Sequence, residues 1–164
     1  MSEATAALLV KTTSNTAELA PVRRQIEAFC KSIGFDDRAV GEIGLCVNEA
    51  MANVIRHAYR EKDGEPIEIT ATVAEGTFSV ALRDWGVGLQ PGPLPNEKVD
   101  PMHPGGLGLI CLGRMMDKVT FTPQNPGMLL EMFRKHETKP EPQGEPATEP
   151  SATPLPSPTK AELP

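Results

Sequence analysis

The chain has 164 residues, a formal net charge of −6 and a pI near 5.1, which suits one acidic domain and argues against a direct nucleic-acid binder. No apolar run approaches membrane-spanning length and no charged leader precedes an apolar core, so no membrane association is expected. Cys30, Cys46 and Cys111 are odd in number and far apart, which excludes a C-x-x-C metal site and fits buried thiols in a reducing, cytoplasmic compartment.

Ala6 to Thr12 is short and ends in β-branched residues, as a strand does. From Ala17 to Ile33, apolar residues at Leu19, Val22, Ile26, Phe29 and Ile33 follow a helical period that Gly34 stops. Asp36 and Asp37 are capping residues for a second helix, expected to run to about Tyr59 on a stripe through Val40, Ile43, Val47, Ala50, Met51, Val54 and Ala58. Ile67 to Val73 and Phe78 to Asp84 alternate apolar with polar residues across an Ala74-Glu75-Gly76 turn, which predicts a hairpin.

Residues 86–106 are rich in Gly and Pro and have no period, so a lid or a disordered loop is expected there. Leu107 to Val119 reads as a third helix, with Met115 and Met116 as core fillers. Val119–Thr122 and Met128–Phe133 close the order as two strands joined through Asn125-Pro126-Gly127. This order predicts an α+β fold: a two-layer α/β sandwich whose mixed, mostly antiparallel sheet carries helices on one face. From Glu137 onward there is no aromatic residue, and eight of the 17 prolines lie there. Such a segment cannot bury enough apolar surface to fold, so the expected organisation is a domain over 1–136 and a disordered tail over 137–164.

Three groups of residues could carry chemistry. Glu49 and Asn53 are one helical turn apart on one face; a carboxylate there can accept a proton, and an amide oxygen is a hard ligand for Mg²⁺. The same pair also fits a solvated polar face. Asp84 falls on the face of Phe78, Val80 and Leu82, where a carboxylate is costly unless it is paired, for example with the exocyclic amine of adenine. Gly86 and Gly88 let backbone approach a ring, although an ordinary Asp-Gly turn reads the same way. Gly105-Gly106-Leu107-Gly108 opens a helix, so its N–H groups can face an anion, or it can serve as a plain hinge. His57, one turn past Asn53, and His103, in the lid, are weaker candidates, and Trp85 fits the edge of a site or a cap on the core.

Taken in order, Glu49-x-x-x-Asn53, Asp84-x-Gly86-x-Gly88 and Gly106-x-Gly108 resemble the GHKL, or histidine-kinase-like, ATP-binding superfamily. Asn48-Glu49-Ala50 through His57-Ala58-Tyr59, and Gly106-Leu107-Gly108-Leu109 through Met116-Asp117-Lys118-Val119, are most similar to its anti-sigma-factor serine/threonine kinases. The resemblance covers about residues 5–135. It implies a Bergerat-type fold, with Asn53 holding Mg²⁺, Asp84, Gly86 and Gly88 on the adenine side, Gly105, Gly106, Leu107 and Gly108 at the phosphates of ATP, and Glu49 as general base. It also implies phosphoryl transfer to a serine or threonine of a STAS-domain anti-sigma-factor antagonist, a sigma factor as second partner, and a homodimer.

The chain departs from that pattern at two places. Pro104 stands where some members have an Arg that reaches the terminal phosphate, and Met128 stands where relatives often have a Thr hydroxyl. These departures motivate an alternative, an ATP-gated binding module without phosphoryl transfer. A third possibility, the catalytic domain of a sensor histidine kinase, lacks support because no second helical hairpin with a phospho-accepting His is present.

Overall fold

Two rows of apolar side chains run across the whole sheet and explain why the strands take the register they do. The computed structural model describes residues 6–87 and 106–136. Its strands are β1 (Ala6–Thr13), β2 (Pro66–Ala74), β3 (Thr77–Asp84), β4 (Lys118–Pro123) and β5 (Met128–Lys135), in the spatial order β1-β2-β3-β5-β4. All four pairings are antiparallel. One row passes through Val10, Ile69, Leu82, Leu130 and Phe121, and the next through Leu8, Ala71, Val80, Met132 and Val119. A slip of one residue in any strand would turn its whole apolar set to the other face.

The helices cover the face that carries these rows. They are α1 (Leu19–Ser32), preceded by a short 3-10 turn at Thr16–Glu18, then α2 (Asp37–Asn53) and α3 (Gly106–Met115). Val22, Ile26 and Cys30 of α1, Ile43, Val47 and Met51 of α2, and Leu112 of α3 share one core with the sheet rows. The expected two-layer sandwich with helices on one face is therefore present. Asp36 caps α2 by accepting the Ala39 N–H at 2.8 Å, as its position predicted. Gly44 lets α1 and α2 close up, since a β-carbon there would lie 2.4 Å from the Glu27 carboxylate.

Two helix boundaries differ from the sequence pattern. The second helix does not stay α-helical to Tyr59: after Asn53 it widens into a π turn over Val54–Ala58, closed by the Tyr59 N–H on the Val54 carbonyl. The third helix stops at Met115 rather than Val119, and Val119 belongs to β4. Arg134 of β5 explains that stop. It donates to the Met115 carbonyl at 3.0 Å and pairs with Glu42 of α2 at 2.8 Å, closing off the last turn. Met116 is buried as expected and Met115 packs partly buried against the core. The predicted tail over 137–164 lies outside the described residues.

Ser14, fully buried, ties the end of β1 to the loop before β2. Its hydroxyl donates to the Lys62 carbonyl and accepts the Glu65 N–H at 3.0 Å. Ser14→Ala leaves two backbone groups unsatisfied and should cost about 1–3 kcal/mol. Urea unfolding checks this, and a midpoint equal to wild type would show that the bridge is dispensable.

Candidate nucleotide site

Asp84 sits at the end of β3, one alternation step beyond Leu82, so it faces the core. Its cross-strand neighbours are Ile67 on β2 and Met128 on β5, and it is only 2% exposed. Burial pushes the Asp84 carboxyl above its ordinary value, while the N–H groups of Gly86 and Met128 and the charge of Arg83 pull it back. The Gly86 bond is 2.9 Å long. This is a buried carboxylate held by backbone donors and facing a cavity, which suits it to accept hydrogen bonds from a planar ligand.

The turn after Asp84 is clamped from three sides. Its Val87 N–H donates to the Ala58 carbonyl at 3.0 Å, and a β-carbon on Gly86 would lie 2.4 Å from that same oxygen. The Trp85 N–H donates to the Tyr59 hydroxyl at 2.8 Å, and that hydroxyl donates in turn to the Pro66 carbonyl. Arg83 stacks over the Trp85 ring at 4.5 Å and donates to the Pro126 carbonyl at 2.7 Å. Gly127, at φ +93°, packs so tightly that a β-carbon would meet the Asp84 carbonyl at 2.0 Å. The π turn, Tyr59 and Gly127 therefore set where Asp84 points.

The other two groups of residues meet on α2. Asn53 is its last residue and is 6% exposed. Gly108, in the first turns of α3, lies so close that a β-carbon on it would stand 2.8 Å from Glu49 Oε2 and 3.6 Å from Asn53 Nδ2. Asn53 also lines one cavity with Ala50, Val54, Asp84, Leu112 and Met128. Glu49, Asn53, Asp84, Gly86 and Gly108 thus converge, and Gly106 and Leu107 open the helix that completes the group. Gly88 and Gly105 lie outside the described residues, as do His103 and Pro104.

The cavity is tight, about 10 Å³, or room for about one water. Among its lining residues Met128, unbranched and flexible, is the most adaptable in shape. Among the described residues no three His, Cys, Asp or Glu side chains gather as a metal site. Among the described side chains that line the cavity, Asn53 carries the one neutral oxygen, and an amide oxygen fits a divalent cation shared with a ligand's own oxygens.

His57 does not join the site. Past Asn53 the π turn replaces the α-helical period, and His57 is exposed. Cys30 and Cys46 are buried, and burial pushes both thiols up to about 12, which makes them inert packing groups. Sequence reasoning missed the support that Tyr59 gives and the cavity role of Leu112, and marked Met128 only as the place of an absent hydroxyl. A signal for Tyr59 was there, because a tyrosine at the end of an apolar helix, once buried, needs a partner for its hydroxyl.

Residues 12–134 match the histidine kinase-like ATPase domain. The chain belongs to that family. Among curated proteins it is similar to the serine-protein kinase RsbW of Oceanobacillus iheyensis, 25% identical over 116 residues, covering 66% of this chain and 73% of the relative. It is 27% identical over 106 residues to RsbW of Bacillus subtilis, covering 60% of this chain and 66% of that protein. It is 29% identical over 106 residues to RsbW of Listeria monocytogenes, covering 59% and 67%. The chain therefore spans about two thirds to three quarters of the length of these relatives. The likeness to serine/threonine kinases carried by the motifs is met in these proteins, each a serine-protein kinase by name. In fold, it is similar to the crystal structure of the RsbU and RsbW domains of a Mycobacterium tuberculosis protein, with a TM-score of 0.58 at 15% identity, over 79% of this chain and 32% of that one.

The raised carboxyl of Asp84 gives a test with a defined sign. A folded state that raises an acid's pKa binds the proton more tightly than the unfolded chain does. Stability from this group is then complete below the ordinary carboxylate range and is lost as pH rises through the raised value. Asp84→Asn keeps the acceptor for Gly86 and removes the buried charge. It should match or exceed wild-type stability at neutral pH, with the gap closing as the pH falls into the carboxylate range. Urea titrations along that pH series check it, and an Asn penalty that grows toward neutral pH would mean that the charge stabilises the fold.

Proposed function

We propose that the chain is a Mg-ATP-dependent serine/threonine protein kinase that phosphorylates a STAS-domain anti-sigma-factor antagonist and binds a sigma factor, as a cytoplasmic homodimer. Residues 1–136 are the catalytic domain in this proposal and 137–164 an appended tail. Among the described residues no helix is long and apolar enough to cross a membrane. The observation that carries the proposal is the close seat of Gly108 on Glu49 and Asn53, in a cleft that Asn53 shares with Asp84. The likeness to serine-protein kinases supports the reaction type.

Each residue has a task that its surroundings suit. Asp84 accepts the exocyclic amine of adenine, and Gly86, free to pack on the Ala58 carbonyl, keeps the adjoining turn and its N–H in place on the Asp84 carboxylate. The opening turns of α3 offer N–H groups and a helix dipole to the phosphates, with Gly108 permitting close approach. Asn53 supplies an oxygen for Mg²⁺, which when bound neutralises charge on the terminal phosphate oxygens. Glu49 takes the proton of the acceptor serine or threonine as its oxygen bonds to the γ-phosphorus, while the bond from that phosphorus to the ADP oxygen breaks.

Calorimetry of Mg-ATP binding tests the nucleotide site. Asp84→Ala should abolish binding, and Asn53→Ala should bind without dependence on Mg²⁺. A wild-type chain that binds no Mg-ATP would end the proposal. For transfer, Glu49→Gln should retain nucleotide and lose about 10²–10⁴-fold in labelling of an antagonist. Gly108→Ala should fold normally, because the obstructing atom is the end of a flexible side chain, yet it should displace the Glu49 carboxylate and slow transfer more than it weakens binding.

Met128 favours a second reading, an ATP-gated binding module without transfer. Met128 lines the cavity beside Asp84, at a position where relatives often carry a hydroxyl that could support the site. A chain that binds Mg-ATP, changes partner affinity with it and labels no antagonist would match that reading.

A further inference from the structure

The α2 helix and its π turn have two working faces. Ala50, Asn53 and Val54 line the nucleotide cleft, whereas Ala52, Ile55 and Arg56 line a separate cavity on another face. This second cavity has a volume of about 370 Å³, within the range of small-molecule sites. Leu19, Ala52 and Ile55 form its apolar wall, and Arg56, Glu61 and Asp63 supply charge around it.

The three charged groups are not used by the fold. Among the described residues none of them makes an ion pair, with one another or with any neighbour. Arg56, Glu61 and Asp63 are all exposed at the cavity. Arg60 and Glu61 both have positive φ, 51° and 61°, which is costly for residues with side chains. The Glu61 N–H is held on the Ile55 carbonyl at 2.8 Å, so the backbone that presents Glu61 is tied to the wall of the cavity.

We infer that this cavity is a binding site for a small aliphatic zwitterion, an α-amino acid with a branched or straight hydrocarbon side chain. Its carboxylate meets Arg56, its ammonium meets Glu61 and Asp63, and its side chain lies on Leu19, Ala52 and Ile55. Other ligand classes fit less well. A simple anion faces two carboxylates, a simple cation faces Arg56, and an uncharged apolar ligand leaves all three charges unanswered. A zwitterion answers every group with charge-assisted hydrogen bonds.

Calorimetric titration of the full chain without nucleotide, using L-alanine, L-valine, L-leucine and L-isoleucine in turn, tests this. No step involves ATP, so failure here leaves the nucleotide site unaffected. At least one amino acid should bind saturably with a Kd below about 1 mM. The matching single-charge compounds (3-methylbutylamine and 4-methylpentanoate for leucine) should bind about tenfold more weakly or worse, and Arg56→Gln and Asp63→Asn should each weaken the amino acid by a similar factor. Both side chains are exposed and unpaired, so the variants should retain the wild-type Tm. The inference is overturned if none of the four amino acids saturates, if the single-charge compounds bind equally well, or if Arg56→Gln binds like wild type.

Discussion

The structure is organised around one unfavourable placement, a carboxylate in the core-facing row of a sheet. Asp84 occupies a position that its neighbours Ile67 and Met128 mark as apolar. It is held there by backbone donors from two directions, Gly86 in its own turn and Met128 on the adjacent strand. Both directions require backbone to come closer than side chains allow. Gly86 presses on the Ala58 carbonyl and Gly127 on that of Asp84 itself. The π turn, the Tyr59 bridge and the β4–β5 turn are thus parts of one support. A binding group desolvated in advance gains more from a matching donor than one that must first shed water.

Much of this was legible in the chain, because burial on one face leaves a periodic record. The alternation of Phe78, Val80, Leu82 and Asp84 correctly put a carboxylate among core positions, and the stripe from Val40 to Ala50 put Glu49 and Asn53 on a helix beside it. Juxtaposition was not legible from spacing alone. Gly108 meets Glu49 and Asn53 through the crossing of α3 on α2, and no local pattern encodes a crossing. Order along the chain, taken with family likeness, supplied what period could not.

Where the local pattern failed, a tertiary contact had overridden it. Helical period carried the second helix on to Tyr59, but the widened turn there hands the Ala58 carbonyl to Val87 and the Tyr59 hydroxyl to Trp85. Those bonds outweigh the preference for regular α geometry, and His57 leaves the site as a result. The third helix was overrun for a similar reason. Nothing near Met115 in sequence announces a stop, because Arg134, which closes that end, comes from the last strand.

Strand order has a consequence for how such a chain is made. β5 lies between β3 and β4, although it is the last described element to be synthesised. Until residues 128–135 have been added, β3 keeps one edge open, with the N–H and C=O groups along it unpaired. Throughout that interval Asp84 lacks its Met128 donor as well. A nascent chain therefore carries an open strand edge and an incomplete Asp84 cavity at the same time. A truncation within β5 would leave the same edge open, free to pair with another chain.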